Sequence, residues 1–582
     1  MLVNPKLINA ITMENLNQTQ KEALQKASLI DDDMQEMIDN QPELLNLDNI
    51  IRQYLNPLDA GGNSGDANGD GKVDGLDYVI WLNNYNKTVT AGAASGDFDL
   101  NGKVDGLDYV IWLNNYNKIY PTPTVSPAAT LVPTLTPTQI PSLTPTPSIK
   151  PTGVKTPTPS PQNNPLNIVL ILSDDQRYDS LSKMPFMGSR IGWHKFTRAY
   201  SNVALCCPSR ATILSGQYSH NTGVEDNLLM EYFNEKDNLA TRLHDKGYTT
   251  GLIGKYLNGW FYKTGVKKIY TPPGWDLWNP FIQVNYFNYS LVENGVEKYY
   301  GQNEADYSTD VVGHKALNFI NTVKEPFYLH FAPYAAHGPW IPAPRHAATN
   351  VNPIIFDPSF NEQDVSDKPL WVQQLPLYDV NKMTEVRRTQ YRMLLSLDEW
   401  IKKIILALQT RNILDRTIII YMTDNALSDA DHRIVEKVCP YNSCNRLPLL
   451  IRYPFKPGRD INTLISNTDI APTIAELAGV QLLNPDGLSL VSLLNGQNTL
   501  NRRGILIHWG NTHKVWMIPA FWGIVKNQWK YIELETGEKE LYDLSFDPYE
   551  LTNVANQSQY RQIQAGLATD LATLKPVIIQ PL

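Results

Sequence analysis

The chain contains few cysteines and no long apolar run. Its 582 residues include 4 cysteines, too few for a disulfide framework to hold together a chain of this length. No apolar stretch approaches the roughly 20 residues of a membrane span, and residues 1–20 lack the apolar core of a secretory signal. Only 19% of residues are charged, with a net charge of -9 at pH 7. These absences exclude a polyelectrolyte and argue against a membrane span and against a general nucleic-acid binder.

Charge and proline divide the chain into regions. Residues 1–118 hold 8 basic and 18 acidic side chains, whereas residues 119–165 hold 2 basic side chains, no acidic ones and 13 of the 40 prolines. A run rich in Pro and Thr is extended and has no core, which is typical of a linker. We predict a helical segment of unknown function over 1–64, a repeat module over 65–118, a linker over 119–165, a large domain over 166–500 and its C-terminal subdomain over 501–582.

The string GKVDGLDYVIWLNNYNK occurs twice, at Gly71–Lys87 and at Gly102–Lys118. Each copy completes a twelve-residue loop with oxygen-bearing side chains at positions 1, 3, 5, 9 and 12 and a glycine at position 6. The first loop offers Asp66, Asn68, Asp70, Asp74 and Asp77, with the backbone carbonyl of Lys72. The second offers Asp97, Asp99, Asn101, Asp105 and Asp108, with the carbonyl of Lys103. Such loops wrap a hard cation, so we predict one Ca²⁺ in each; the alternative is a duplicated, solvated acidic turn.

These loops resemble type I dockerin repeats, which attach carbohydrate-active enzymes to cohesin scaffolds. As in that family, Asp stands at position 12, and the apolar run YVIWLNNY follows directly as one helix. The Gly-Leu pairs at positions 10 and 11 differ from the Ser or Thr that the family often has there. The resemblance implies a small α-helical, EF-hand-like module with a cohesin-type scaffold as its partner.

Beyond the linker, short apolar runs alternate with helical patterns. We predict strands at Ile168–Leu172, Thr249–Ile253, Phe327–Phe331 and Ile418–Met422, and an amphipathic helix at Asp398–Gln409. This is the pattern of an α/β fold, in which ligands gather beyond the carboxyl ends of the strands. The residues that follow the four strands are Ser173-Asp174-Asp175, Gly254-Lys255, Ala336-His337 and Thr423-Asp424-Asn425. The two acidic pairs suit Ca²⁺ or Mg²⁺, although either pair alone could be a turn or a helix cap.

Two adjacent cysteines open the string CCPSRATILSG at residues 206–216. From the residues alone, Cys206 could be a structural disulfide partner, a buried thiol or a ligand in a zinc site with Cys207, Cys439 and Cys444. Adjacent cysteines make poor paired ligands, and no C-x-x-C spacing or nearby histidine supports zinc. A disulfide between Cys439 and Cys444 is a separate alternative for that pair.

The string matches C-x-P-S-R-x-x-x-L-[ST]-G, and the chain resembles the formylglycine-dependent sulfatases of the alkaline phosphatase superfamily over roughly residues 165–555. The resemblance implies an α/β fold with a mixed sheet flanked by helices and a smaller C-terminal antiparallel sheet subdomain. It implies that Cys206 is oxidised to formylglycine (3-oxoalanine) by a formylglycine-generating or anaerobic maturation enzyme. One hydroxyl of the hydrated aldehyde would attack sulfur, and the other would then expel sulfate.

The resemblance also gives roles to the residues that follow the strands. Asp174, Asp175, Asp424, Asn425 and the modified Cys206 would hold one Ca²⁺, and Asp424 would also take the diol proton. Arg210 would steady the diol, Lys255 and Lys437 would neutralise the sulfate oxygens, and His337 would protonate the leaving alcohol oxygen. Many sulfatases read G-K-W-H-[LM]-G where this chain has Gly254-Lys255-Tyr256-Leu257-Asn258-Gly259, so the usual histidine beside the diol is missing. Asn258 would take over its place as a neutral hydrogen-bonding group.

Three features are similar to the N-acetylglucosamine-6-sulfatase branch and related glycosaminoglycan sulfatases: the string K-Y-L-N at residues 255–258, Pro339-Trp340 after His337, and Asp424-Asn425 in place of Asp-His. They imply polysaccharide degradation, with a sulfated amino sugar as substrate. The aromatic residues after Lys255 are candidates for sugar stacking or for core packing. They are Tyr256, Trp260, Tyr262, Trp275 and Trp278.

Two alternative functions stay open at this point: a phosphonate monoester or phosphodiester hydrolase of the same superfamily, and a noncatalytic scaffold-bound protein. The dockerin-like module and the Thr-Pro linker imply an extracellular or cell-surface location. Because residues 1–20 carry no export signal, we expect that the start of the sequence is truncated or misassigned. Nucleic acid is not expected as a partner.

Overall fold

A computed structural model describes residues 165–576, except 190, 191, 264, 265, 294 and 511–517. Before residue 165 it describes residues 66, 67, 73, 77, 80, 81, 84, 87–89, 92–98, 103, 104 and 108. The chain divides into two compact units, Met1–Thr152 and Gly153–Leu582. Several of the predicted calcium ligands lie outside the described residues, namely Asn68, Asp70, Lys72, Asp74, Asp99, Asn101 and Asp105.

In the first unit, the two acidic loops make the same internal contact. The backbone N–H of Ala67 donates to Asp77 Oδ1 at 2.8 Å, and that of Phe98 donates to Asp108 Oδ1 at 2.6 Å. In both loops the carboxylate at position 12 therefore reaches back to position 2 and closes the loop. This closure fits the predicted loop geometry, and calcium binding by the loops stays a prediction.

A small core supports these loops. It consists of Ala67, Val73, Trp81, Phe98 and Val104. The described residues of the first YVIWLNNY run, Ile80, Trp81 and Asn84, are helical, as predicted. A 3₁₀ helix at Gly92–Ser95 precedes the second loop.

The second unit contains a ten-stranded mixed sheet. In spatial order its strands are Asp460–Ile461, His194–Phe196, Leu449–Arg452, Thr417–Thr423, Asn167–Ser173, Phe327–Ala332, Thr249–Gly254, Leu277–Gln283, Tyr289–Glu293 and Val296–Tyr300. The five strands from Thr417–Thr423 to Leu277–Gln283 run parallel to one another. The four predicted strands are confirmed, and each begins and ends within one residue of its predicted bounds.

The sheet has a separate apolar core on each face. Along the strand Asn167–Ser173, Ile168 and Leu170 belong to one core, and Val169 and Ile171 belong to the other. Every residue of this strand is buried, as is expected for a parallel strand with helices on both faces. Because the five central strands are parallel, their carboxyl ends lie at the same edge of the sheet.

Helices cover both faces of the sheet. The α-helices are Pro185–Ser189, Cys206–Ser215, Ser219–Thr222, Leu239–Asp245, Ser308–Thr322, Leu370–Gln373, Val380–Thr410, Asn442–Asn445, Ile470–Ala478, Val491–Leu494 and Arg561–Leu574. Short 3₁₀ helices lie at Tyr178–Lys183, Met230–Tyr232, Glu304–Asp306, Pro344–His346, Leu414–Arg416, Asn467–Asp469 and Ser558–Tyr560. The predicted helix Asp398–Gln409 is the second half of Val380–Thr410. Within the described residues, we find no helix both long and apolar enough to cross a membrane.

Three smaller sheets complete the second unit. A four-stranded antiparallel sheet contains Ile505–Trp509, Phe521–Lys526, Trp529–Leu534 and Lys539–Asp543. A three-stranded sheet contains Arg446–Leu447, Ala199–Tyr200 and Ile465–Ser466, and a two-stranded one contains Tyr262–Lys263 and Val266–Lys267. The implied fold class, a large mixed sheet with a small C-terminal antiparallel sheet, is confirmed. The predicted domain boundaries stay predictions.

Four of the aromatic residues after Lys255 belong to the core and do not offer an open face to a sugar. Trp260 and Trp278 pack edge to face, with their ring centroids 5.2 Å apart, and Tyr256 packs against Trp278 at 4.9 Å. Trp275 is also buried. The sugar-stacking alternative is therefore wrong for these four rings, because all four are buried. The side chain of Tyr262 lies outside the described residues.

Candidate active site

The parallel register brings two of the predicted segments together. Ser173 pairs with Thr423 at the ends of neighbouring strands, so Asp174 and Asp424 leave the sheet side by side. The amide N–H of Asp175 then points at Asp424 Oδ1, with 3.4 Å between the two atoms. A strand-end cluster is therefore a direct consequence of the sheet topology.

Lys255 reaches this cluster because a glycine precedes it. Gly254 has φ +112°, and a Cβ there would lie 2.1 Å from the carbonyl oxygen of Ala332 on the next strand. This close approach allows the backbone N–H of Lys255 to donate to the same carbonyl at 2.7 Å. The Lys255 ammonium then donates to the carboxylate of Asp174. Although burial opposes the charge on Lys255, Asp174 raises its pKa.

Cys206 is the first residue of the helix Cys206–Ser215 and is buried. Its Sγ accepts a hydrogen bond from Lys437 Nζ at 3.0 Å, and the thiol donates to Asp174 Oδ1 at 3.8 Å. The neighbouring Cys207 is also buried, and burial raises the pKa of its thiol to about 12. The structure therefore gives Cys206 a polar, cationic environment and leaves Cys207 an inert thiol.

Arg210 lies one helical turn after Cys206 and faces the same cluster. Its Nε donates to Asp424 Oδ2 at 2.8 Å, and its Nη2 donates to Asp174 Oδ2 at 3.3 Å. Because residues four apart share a helix face, the spacing in the C-x-P-S-R string places the thiol and the guanidinium together. Ser209, between them, donates to the carbonyl of Asp424 at 2.5 Å.

The carboxylates of the cluster have different electrostatic surroundings. Burial opposes ionisation of Asp174, but Lys255, His337 and Arg210 hold its pKa well below the usual range. Burial also opposes ionisation of Asp175, but Lys437 lowers its pKa. For Asp424, burial and the adjacent Asp174 raise the pKa. Asp424 is therefore the carboxylate of the cluster that is best suited to accept a proton.

A metal ion would fit this cluster. Ligand atoms of Asp174, Asp175, Cys206 and His337 all lie within 4.8 Å of one another. Asn425 donates its amide N–H to Asp175, while its buried Oδ1 has no donor in the part of the chain that the structure describes. A buried carbonyl oxygen without a partner beside two carboxylates is a site for a hard cation. These residues include four of the five predicted ligands, and Asp424 lies beside them with its carboxylate on Arg210.

His337 lies at the partly exposed side of the cluster. Its Nδ1 is 2.6 Å from the carbonyl oxygen of Gly338, which can only accept, so the ring donates from Nδ1. Its Nε2 lies 3.4 Å from Asp175 Oδ2. Burial lowers the pKa of His337, but Asp175 and Asp174 outweigh it and raise this pKa to about 9. The imidazolium is therefore the main form at neutral pH and carries a proton on Nε2.

Lys437 reaches the cluster from the segment just before a loop that a disulfide closes. Cys439 and Cys444 are bonded, with their Cα atoms 5.7 Å apart, so this alternative for the pair is confirmed. Lys437 Nζ donates to Asp175 Oδ1 at 2.7 Å, and the N–H of Val438 donates to the carbonyl of Ala204 at 3.1 Å. The segment that carries Lys437 is thereby attached to the one that leads into the helix Cys206–Ser215.

Two residues of the site were not predicted. The first is Asn227, whose Oδ1 accepts a hydrogen bond from the backbone N–H of Cys207 at 2.9 Å. The second is Arg177. Neither residue belongs to a spacing pattern that the sequence displays.

Asn258, which the sequence predicts beside the diol, lies next to the other thiol. Its backbone contacts the thiol of Cys207, and its Oδ1 is buried without a partner among the described residues.

Arg177 joins the two loops that carry the predicted metal ligands. It follows Asp175 by two residues, and its Nη1 donates to the backbone carbonyls of Ser428 at 2.7 Å and Leu427 at 3.3 Å. The same nitrogen lies 2.9 Å from Asp431 Oδ2. Arg177 therefore fixes the distance between the Asp174-Asp175 loop and the Asp424-Asn425 loop.

We expect Arg177→Lys to weaken metal binding at this cluster about tenfold, because a single ammonium cannot reach both carbonyls and the carboxylate. The measurement is the free Ca²⁺ concentration that gives half-maximal activity in calcium buffers, together with the unfolding temperature. Arg387→Lys is the matched control. Arg387 lies in the same acidic network, 3.8 Å from Asp431, but its Nη1 bonds the carbonyl of Ile355 and not those of residues 427 and 428. An equal shift in both variants would contradict the role given to Arg177.

Comparison with known families agrees with this geometry. The family model described as Sulfatase matches residues 166–480, which is more than half of the chain. The model described as N-sulphoglucosamine sulphohydrolase, C-terminal, matches residues 430–576. In the first unit, the model described as Dockerin type I domain matches residues 64–116.

Individual proteins of known sequence or structure are also similar to this chain. The chain is similar to the N-acetylglucosamine-6-sulfatase of Homo sapiens, with 29% identity over 67% of this chain and 81% of that protein. A solved structure of a protein in complex with its substrate D-glucosamine-2-N,6-O-disulfate has a TM-score of 0.61 and 24% identity, covering 70% of this chain and 97% of that one. The phosphonate monoester hydrolase of Agrobacterium radiobacter has a TM-score of 0.59 and 22% identity, covering 70% and 95%. At these identities, the two structures show a shared fold.

Proposed function

The chain belongs to the sulfatase family and is a sulfuric ester hydrolase, and from this premise we propose that it removes sulfate from a 6-sulfated glucosamine through a formylglycine at residue 206. The observation that carries the proposal is the position of Cys206 at the start of its helix, in contact with both Lys437 and Asp174. The names of the N-acetylglucosamine-6-sulfatase relatives and the K-Y-L-N string support the choice of sugar.

Two groups would be added to the residues of the site. The formylglycine, when hydrated, supplies two hydroxyl groups on one carbon, of which one attacks sulfur and the other expels sulfate. Asp174, Asp175, Asp424, Asn425 and residue 206 would hold Ca²⁺, which supplies positive charge to the sulfate and to the attacking oxygen. The unpartnered Oδ1 of Asn425 supports this ligand set.

The side chains of the protein have separate tasks in the reaction. Lys255 and Lys437 are buried cations that stabilise the negative charge on the sulfate oxygens. Arg210 holds the nucleophile and Asp424 in register. Asp424 accepts the proton of the attacking hydroxyl, and His337 donates a proton from Nε2 to the oxygen of the leaving sugar. Asn258 supplies a neutral hydrogen bond near residue 206.

The proposal is tested by comparing turnover of wild-type protein on four compounds: glucosamine-6-sulfate, N-acetylglucosamine-6-sulfate, 4-nitrophenyl sulfate and a phenyl phosphonate ester. We expect sulfate release from the sulfated amino sugars, with phosphonate hydrolysis at least about tenfold slower. The phosphonate arm is needed because a phosphonate monoester hydrolase shares the fold. A strong preference for the phosphonate, without sulfate release from either sugar, would make the alternative hydrolase the correct function.

For the first unit, we propose that each acidic loop binds one Ca²⁺ and that the pair docks on a cohesin-type scaffold. The dockerin match and the closed loops support this. We also propose that the enzyme acts outside the cell or at its surface, on polysaccharide-derived sugars, and that a formylglycine-generating or anaerobic enzyme converts Cys206. Curated relatives named as extracellular sulfatases support this location.

A further inference from the structure

The loop after the short helix Ser219–Thr222 carries a carboxylate for which the proposed chemistry has no role. Glu225 stands two residues before Asn227, whose side chain bonds the backbone N–H of Cys207. Two residues span at most about 7 Å of chain. The backbone of Glu225 therefore lies close to the end of the helix at which residue 206 stands.

The C-terminal sheet packs against this carboxylate from one side. Glu225 Oε2 lies 4.0 Å from Nε2 of His508, in the strand Ile505–Trp509. A Cβ at Gly510 would lie 2.7 Å from the same carboxylate oxygen, so glycine at 510 leaves the space that the carboxylate occupies.

The position of His508 is itself fixed by hydrogen bonds. The backbone N–H of His508 donates to the carbonyl of Asn202 at 2.8 Å, and the ring Nδ1 lies 3.4 Å from the hydroxyl oxygen of Ser219. Asn202 is in turn connected to the catalytic cluster, because its N–H donates to Asn467 Oδ1 and Asn467 donates to Ser209. One network of hydrogen bonds therefore fixes both the imidazole beside Glu225 and the helix Cys206–Ser215.

Glu225 itself has an unused acceptor capacity. Its side chain is 30% exposed, and no donor bonds its carboxylate in the described part of the chain. The 4.0 Å distance to His508 is too long for a hydrogen bond, and burial lowers the pKa of His508 to about 3, so this ring is neutral. Burial also disfavours the charged form of Glu225 and so raises its pKa. A half-buried carboxylate without a donor is unfavourable, and a ligand donor would relieve that cost.

The catalytic cluster and Glu225 carry side chains of opposite charge at the positions where a sugar sulfate has its anionic group and its hydrogen-bond donors. Lys255, Lys437 and Arg210 attract the sulfate group, whereas Glu225 repels anions and attracts hydrogen-bond donors. A sulfated sugar has an anionic group at one end and ring hydroxyl or amino groups at the other. We propose that Glu225 recognises the sugar, its carboxylate accepting a hydrogen bond from a ring hydroxyl or amino group while the sulfate ester faces residue 206. This inference rests on the function proposed above.

Glu225→Gln is the direct test, with kcat/KM measured on glucosamine-6-sulfate, N-acetylglucosamine-6-sulfate, glucose-6-sulfate and 4-nitrophenyl sulfate. We expect a loss of about 100-fold on the sugar that wild-type protein prefers, and a loss at least tenfold smaller on the nitrophenyl ester, which has no sugar ring. Gly510→Ala should give the same pattern, because the new methyl group displaces the carboxylate without removing it. Glu231→Gln, an exposed carboxylate on the same segment, is the control and should stay within twofold of wild type.

The compounds separate the two donors. A loss confined to glucosamine-6-sulfate identifies the ammonium group, and equal losses on all three sugars identify a hydroxyl; either result supports the proposal. Equal losses on the sugars and on the nitrophenyl ester, or losses below threefold throughout, would overturn it. If the wild-type enzyme hydrolyses nitrophenyl sulfate but none of the sugars, the proposed substrate fails, and the role of Glu225 fails with it.

Discussion

Cys206→Ala is expected to abolish sulfate ester hydrolysis, with kcat/KM falling at least about 10⁴-fold. The variant keeps the Cβ atom but removes the thiol whose oxidation converts that carbon to the aldehyde, so residue 206 cannot form and release the bond to sulfur. The remaining cluster still contains the carboxylates and the lysines that would bind metal and sulfate. We therefore expect the variant to fold and to bind the substrate without turning it over, as measured by sulfate release and by calorimetric titration with the sugar.

Cys207→Ala is the matched control, since Cys207 is an adjacent buried thiol on the same helix. Its high pKa and its place in the apolar core predict retention of at least a tenth of wild-type activity. Two outcomes would contradict the assignment: full activity in Cys206→Ala, or an equal loss in both variants.

His337→Ala is expected to cost about 100-fold or more in kcat on a sugar sulfate and less than about tenfold on 4-nitrophenyl sulfate. A sugar alkoxide is a poor leaving group and needs the proton that Nε2 carries, whereas nitrophenolate leaves as a stable anion. The contact of Nε2 with Asp175 keeps the ring protonated and places this proton at the cluster.

The test of His337 is the ratio of the loss in kcat on the sugar sulfate to the loss in kcat on 4-nitrophenyl sulfate. His244→Ala, a histidine on the half-exposed helix Leu239–Asp245, serves as the control for removal of an imidazole elsewhere. If His337→Ala lowered the turnover of both esters by the same factor, His337 would position the metal ligands and would not be the acid.

The sequence predicts the strand ends because they depend on local patterns. Apolar runs of five residues predict strands within one residue, and the charged residues that follow them predict a site at the carboxyl edge of the sheet. The spacing between Cys206 and Arg210 is a helical period, so their shared face is also predictable. These parts of the site need no knowledge of long-range packing.

The parts that could not be predicted depend on contacts between segments far apart in the chain. Arg177 bonds carbonyls about 250 positions later, and Glu225 meets a strand of the C-terminal sheet. The role of the tryptophans after Lys255 also could not be predicted from local sequence. Their sequence pattern fits a sugar platform and a core equally well, and only their packing against one another decides for the core.

Peptide mass spectrometry across residues 205–210 tests the central claim most directly. Active protein, produced together with a maturation enzyme, is digested, and the mass of residue 206 is read. We predict the aldehyde in place of the thiol at Cys206, an unmodified thiol at Cys207, and specific activity that rises in proportion to the converted fraction. Fully active protein whose Cys206 is still a thiol would contradict the formylglycine mechanism.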